Sequence, residues 1–471
     1  MTRFLAPALL LLTGTLRADD WPMFGGRPDR NPVSAEKGLI EKWAKGDASA
    51  VKWTAELGKD TYGNPVISGG RIFIGTSNGK PRDPAVKGDK GVLMCFAEKD
   101  GAFLWQALHD KLPEGDAQDF SSIGICSTPC VDGNRVYYVS NRAELVCLDA
   151  AGFTDGKNDG PVTDEKRAGP KDADVIWSLD FRKELGVVPH QASASSPLVV
   201  GDLVYVVTGN GIDGETNKVP RPEAPSFVAV DKTTGKVVWK DASPGVKILS
   251  GQWASPAYGV VDGVPQVCFP GGDGWVYAFD ALKGTLLWKL NGKAHETPKP
   301  DGKPGTPYHF IATPVYAGHR LILGIGAEEE AGSFPGGLRC IDARKRGDLT
   351  KDGVLWSLLG EEFGGTISTA AVQDGLVYIP EMMGVVNCID LETGKRLWKK
   401  DLLSGIWGSI LVADGRLYVQ TGDGEVWTFA TGRAEKSLGK SGFPDLYHGT
   451  PTPANGVLYV AGRTKLYALG K

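Results

Sequence analysis

One short pattern, small-x-Asp-x-x-Thr-Gly-x-x-x-Trp, recurs along this chain and constrains its fold more than any composition value. Ala229 to Trp239 reads AVDKTTGKVVW, Ala278 to Trp288 AFDALKGTLLW and Cys388 to Trp398 CIDLETGKRLW. Cys95 to Trp105 reads CFAEKDGAFLW, and copies opened by Cys147 and Cys340 reach Trp177 and Trp356 after insertions. Each copy is a β-hairpin by its chemistry. The Asp carboxylate bonds backbone N–H groups two residues on and starts the turn. The Gly supplies the left-handed turn residue. Alternating apolar residues put one face on a core, and the Trp fills space between sheets.

A second hairpin precedes each of these. Asp132-Gly133, Gly201-Asp202, Asp374-Gly375, Asp414-Gly415 and Asn455-Gly456 each lead into a run such as LVYVV or RLYVQ. Before these turns lies a short strand, often opened by Pro: Asn64-Pro65, Thr128-Pro129, Ser196-Pro197, Ser255-Pro256 and Thr313-Pro314, then Thr369-Ala370, Ser409-Ile410 and Thr452-Pro453. Pro is tolerated at the first residue of a strand. Eight starts of four strands predict an all-β chain, an eight-bladed β-propeller of four-stranded antiparallel blades. The shortest Trp-to-Trp interval, Trp356 to Trp398, matches the roughly 40–45 residues of such a blade. The last unit ends on a third strand, Leu466 to Leu469, and residues 51–57 read as a fourth strand with no partners before them. Closure of the ring by residues 51–57 is therefore expected, because it removes exposed sheet edges. The seventh unit, Thr428 to Leu438, lacks its Trp.

The 64 Gly among 471 residues fit this many turns, and net charge −4 leaves no electrostatic footprint for nucleic acid. Residues 1–18 have the charged, apolar and small-residue order of a secretory signal peptide. No Cys precedes Cys95, so no lipid-anchoring cysteine is available there, and no later run suggests a transmembrane segment. The expected organisation is a signal peptide (1–18), an N-terminal extension (19–50) and one propeller (51–471), with a periplasmic or secreted location. Cys95, Cys147, Cys340 and Cys388 occupy the repeat position held elsewhere by Ala, which reads as buried packing. If any bridge forms, Cys126–Cys130 is the nearest pair in sequence.

With Asp20-Trp21-Pro22-Met23-Phe24-Gly25-Gly26 at its start, the repeat resembles the tryptophan-docking repeat of the pyrroloquinoline-quinone (PQQ) propeller superfamily, over roughly residues 50–471. Stretches around Gly169–Trp177 and Glu184–His190 are similar to an exported planctomycete-type subgroup. The resemblance implies one of two roles. One is a non-catalytic scaffold presenting its funnel and loops to a protein, peptide or carbohydrate. The other is a PQQ- and Ca²⁺-dependent quinoprotein dehydrogenase of alcohols or sugars. The adjacent Cys pair that many such dehydrogenases carry is absent. The scaffold is the leading expectation, without a cofactor and without assigned catalytic residues.

Ligands of a propeller enter where the first strands begin. The loops there carry Tyr62, Cys126, His190, Gln191, Gln252, Trp253, Tyr308, His309, Trp407, Tyr447 and His448. Trp stacking a planar ligand while His and Gln bond its rim is one reading. Aromatic rings that plug the channel, with His capping backbone, is the other. Two Tyr-His pairs, Tyr308-His309 and Tyr447-His448, stand at matching distances before Pro314 and Pro453. The loop from Asp155 to Gly160 resembles half of a Ca²⁺ loop, with Asp155 and Asp159 as the candidate ligands, but such runs more often make solvated turns. Three His from blades 3, 5 and 8 cannot converge on one metal ion.

Overall fold

A computed structural model describes residues 20–44, 47–292, 310–326 and 335–470. The strands fall into eight antiparallel four-stranded sheets. Blades 1 to 7 span residues 66–110, 130–180, 198–241, 257–291, 315–364, 371–401 and 411–442. Blade 8 joins three strands within 452–469 to Val51–Glu56. Trp53 lies opposite Ala468 and Glu56 opposite Lys465, so the N-terminal strand closes the ring as expected. Two blades gain a parallel edge: Val33–Ser34 on the first strand of blade 7, and Gly347–Asp348 on the last strand of blade 4. The Arg344–Gly353 insertion thus covers an outer edge that would otherwise be open.

The repeat's residues have distinct jobs at the blade interfaces. Six Trp indole N–H groups donate to a carbonyl of the following blade: Trp105 to Ala150, Trp177 to Lys232, Trp239 to Ala281, Trp356 to Leu391, Trp398 to Gly432 and Trp53 to Glu98, while Trp288 donates to the Gln266 side chain, whose own N–H reaches Ala343 of the next blade. In five of these junctions the same ring also lies over a positive-φ glycine of the following blade: Gly101, Gly152, Gly235, Gly284 and Gly394. A Cβ on Gly235 would sit 2.8 Å from Trp177, and one on Gly284 2.6 Å from Trp239, with both glycines at positive φ. Turn geometry and ring contact therefore both demand Gly. Across the strand pair, Trp faces Cys95, Cys147, Cys340, Cys388 or an Ala. A small buried side chain is required opposite so large a ring, and all seven Cys are free, Cys126 and Cys130 included.

Blade 7 carries Gly439 opposite Thr428 where the other blades pair Trp with Cys or Ala. Its missing ring is made good from elsewhere in the chain. Trp43 is buried and stacks on Phe443 at 5.9 Å, and its backbone N–H donates to the Ser441 hydroxyl. Leu39, Ile40 and Trp43 join the core shared by blades 7, 8 and 1.

The segment from Asp20 to Trp43 is a strap across one end of the channel, and it bonds to every blade. Trp21 exchanges N–H···O bonds with Ile67 of blade 1, and the Pro22 carbonyl accepts from Val131 of blade 2. The Pro28, Asp29 and Pro32 carbonyls accept from Tyr258, Tyr316 and Val412 of blades 4, 5 and 7. The Asn31 amide pairs with both backbone groups of Val372 in blade 6, and the Glu36 carboxylate caps the Asn455 and Gly456 N–H groups of blade 8. Arg30 reaches blades 3 and 4. It is fully buried and donates to the carbonyls of Ser196, Pro197, Pro256 and Phe24. Burial pulls its guanidinium down to about 10, against the opposing charges of Cys130 and Asp29. The strap satisfies the inner strand edges that a bare channel would leave to water. Phe24-Gly25-Gly26 makes the bend: a Cβ on Gly26 would stand 2.7 Å from the Trp21 ring.

Candidate functional site

The residue two positions before each first strand faces the axis, and these residues form a belt. At seven of the eight blade junctions a backbone N–H of this belt donates to the next blade's side chain. Asn64 donates to the Thr128 hydroxyl (3.0 Å), Thr128 to Ser196 (3.1 Å), Ser196 to Ser255 (2.9 Å) and Ser255 to Thr313 (3.3 Å). Thr369 donates to Ser409 (2.9 Å), Ser409 to Thr450 (2.8 Å), and Thr450 closes the ring onto the Asn64 amide oxygen (2.6 Å). The eighth member is Thr450-Pro451, two residues before the Thr452-Pro453 expected from the sequence. The first strand of that blade begins at Thr452, so the belt position falls at Thr450. With this register, Tyr447-His448 no longer matches the spacing of Tyr308-His309.

Above the belt lies a cavity of about 370 Å³ on the axis. Its wall repeats with the blades, two residues before each belt member. Tyr62, Trp407 and His448 form one sector, Trp253 stands alone in blade 4, and Ile311 and Ile367 lie between them. Cys126 and Ala194 complete the circle, with Phe120, Ile123 and Gln191 at the rim of blades 2 and 3. Phe24 of the strap contributes to the cavity's lining, and a void of about 10 Å³ remains between strap and belt. The strap therefore closes this end, and no Asp, Glu, Lys or Arg lines the cavity among the described residues.

Of the sequence candidates, Tyr62, Gln191, Trp253, Trp407 and His448 meet in this wall. Tyr62 stacks on His448 at 4.8 Å, and Trp407 meets the His448 ring edge-on at 5.3 Å. Burial, then the Arg463 charge, pulls the His448 imidazole down to about 4, against Asp60 and Asp445. Trp253 stacks on His190 at 6.2 Å and donates to the Ala192 carbonyl. Gln191 holds φ +58, a left-handed conformation unusual for its type.

The other candidates stand outside the wall. His190 is buried and its Nδ1 meets the Ile212 carbonyl at 3.0 Å. Gln252 is buried, donates to the Asn210 carbonyl and Ser226 hydroxyl, and accepts from Gly272. Tyr447 is buried in the core of blade 8, its hydroxyl accepting the Phe443 N–H. Tyr308 and His309 lie outside the described residues. Asp155 accepts the Lys157 N–H within its own turn, while the Asp159 N–H donates to Asp174. No group of three or more His, Cys, Asp or Glu that could hold a metal ion occurs among the described residues.

Sequence reasoning did not single out a second cleft, of about 600 Å³, between blades 1 and 2. His109 and Tyr138 line it, with His109 Nε2 2.7 Å from the Tyr138 hydroxyl and Nδ1 3.3 Å from Glu144. Burial raises the Glu144 carboxyl, but His109, Ser140 and Arg142 outweigh that and bring it down to about 2. These residues come from facing strands of two blades, so no local spacing announces them.

The PQQ and Ca²⁺ implied as an alternative do not fit the axial cavity. Ca²⁺ takes six to eight oxygen ligands, with carboxylates prominent among them. PQQ is a polycarboxylate that calls for cationic partners. The described lining supplies neither charge.

Comparisons with known proteins agree with the architecture. A family profile described as "outer membrane protein assembly factor BamB" matches residues 168–297 and 336–470. Curated protein sequences give no match. The crystal structure of BamB from Moraxella catarrhalis superposes with a TM-score of 0.55 at 15% identity, over 89% of this chain and 96% of that one. The crystal structure of the computationally designed Ika8 protein gives 0.55 at 12% identity, over 89% and 100%. A quinohemoprotein alcohol dehydrogenase from Comamonas testosteroni gives 0.49 at 12%, over 97% and 81%. At these identities the structural likeness concerns the fold alone. By the extent of the profile match and the repeat that carries it, the chain belongs to the BamB-like family of PQQ-repeat propellers.

Proposed function

We propose that this protein is a non-catalytic binding propeller that works outside the cytoplasm and takes part of its partner into the axial cavity. The observation that carries this reading is the construction of that cavity. It is closed at the base by the strap, walled by aromatic and aliphatic rings, and floored by hydroxyl groups without a charged side chain among the described residues. Such a site has shape and hydrogen-bonding capacity, and burial holds its Cys126 thiol and His448 imidazole in their neutral forms. The signal-peptide-like residues 1–18 and the family membership support an extracytoplasmic setting, and the BamB relative makes a protein partner a further reading. No described helix is long and apolar enough to cross a membrane.

Two assays test the proposal. Protein mixed with PQQ and Ca²⁺ is expected to reduce no artificial electron acceptor over a panel of alcohols and sugars; dye reduction would overturn the non-catalytic reading. Calorimetric titration with neutral oligosaccharides, acidic oligosaccharides and apolar peptides is expected to give binding that the Trp253→Ala/Trp407→Ala double variant loses. Unchanged binding in a folded double variant would remove the cavity from the function.

A further inference from the structure

We infer that the axial cavity recognises an uncharged sugar ring, the neutral end or side branch of a carbohydrate chain; the inference rests on the binding role proposed above. A pyranose has apolar C–H faces and a polar rim, and the cavity offers both complements in that order. Trp407 and Trp253 stand in blades 7 and 4, on separate sectors of the wall, and supply flat rings for the C–H faces. No described residue takes the Trp407 indole N–H, which is left for a ligand oxygen.

The floor completes the match. The hydroxyls of Thr128, Ser196, Ser255, Thr313, Ser409 and Thr450 each accept a backbone N–H from the neighbouring blade. None of these six donates its own proton to a described residue. Each of these hydroxyls keeps a rotatable O–H beyond the bond it accepts, and in the cavity lining that O–H can be offered to a sugar oxygen. An apolar peptide side chain would leave these donors unpaired, which disfavours it. An ionised ligand would lose its hydration with no described counter-charge in the wall. At the rim, the Gln191 side-chain amide lines the cavity on a backbone held at φ +58. Strain of this kind persists where surrounding structure over-determines it, as at ligand clamps. The cavity's volume, about 370 Å³, is within the usual range of small-ligand sites.

The test is calorimetric titration of the full mature protein with neutral trisaccharides of glucose, mannose and galactose, a glucuronate-containing trisaccharide, and an uncharged apolar tripeptide. At least one neutral sugar is expected to bind, with the acidic sugar at least tenfold weaker. Trp407→Ala is expected to weaken binding at least tenfold and Gln191→Ala severalfold, with thermal midpoints close to wild type. Because Trp407→Ala removes packing as well, Trp407→Phe serves as a second variant: it keeps the stacking face but not the indole N–H, and should bind more weakly than wild type and more tightly than Trp407→Ala. Tripeptide binding without sugar binding overturns the sugar assignment and leaves the binding role standing. Equal affinity for the acidic and neutral sugars also overturns it. Binding by none of the probes overturns the sugar assignment, and the binding role falls with it if the wider panel described above is silent too.

Discussion

The two ends of the propeller axis are made from the same eight strand starts, yet they use their polar groups in opposite ways. At the base, the strap directs its backbone and its Arg30, Asn31 and Glu36 side chains onto all eight blades, and Arg30 is wholly buried. At the funnel, six of the seven belt hydroxyls accept a backbone N–H from the neighbouring blade and donate to no described residue. The base is finished as protein; on the proposed function, the funnel is finished by what enters it. Stability and binding are thus assigned to different ends, and substitutions should separate them.

The largest effect is expected at the base. Arg30→Met removes the donors of four backbone carbonyls and leaves them buried, which should cost about 3 kcal/mol or more in urea unfolding. A loss below about 1 kcal/mol would mean that the strap is not a structural element. Trp43→Ala should cost about 3 kcal/mol by emptying the gap between blades 7 and 8. The same change should leave sugar binding untouched.

A belt substitution sharpens the contrast. Ser409→Ala removes the acceptor of the Thr369 N–H, so a stability loss of about 1 kcal/mol is expected, with a severalfold loss of affinity by calorimetry. The smallest effect concerns pH. His448 is held down to about 4 in the fold against 6.5 unfolded, so the unfolded chain binds the extra proton between those values. Stability from this group is complete above about pH 6.5 and is lost as pH falls toward 4. Thermal midpoints of His448→Gln should fall less than those of wild type across that window.

Much of this was legible in the sequence, and the limits have physical causes. The Trp, the turn Gly and the small residue opposite the Trp are local, so their periodicity announced blades, count and closure. Trp43 was not legible as the ring of blade 7, because nothing in its neighbourhood specifies a gap closed from the far end of the chain. The belt was visible as Ser/Thr before Pro, but its hydroxyls link different blades, and only the ring shows that use. In blade 8, Thr450-Pro451-Thr452-Pro453 allows two registers two residues apart. A shift of two keeps every side chain on the same face, so alternation cannot choose between them. The same loops placed Gln252 and Tyr447 in buried positions beside the wall, since irregular segments carry no period from which to read orientation.

Hydrogen exchange by mass spectrometry, on the free protein and on the protein with its best-binding neutral trisaccharide, tests the contrast most directly. The account predicts slow exchange in residues 20–43 in both states, and ligand-dependent slowing at 62–64, 253–255, 407–409 and 448–450. Fast exchange of the strap in the free protein, or a bound ligand that leaves the belt segments unchanged, would contradict it.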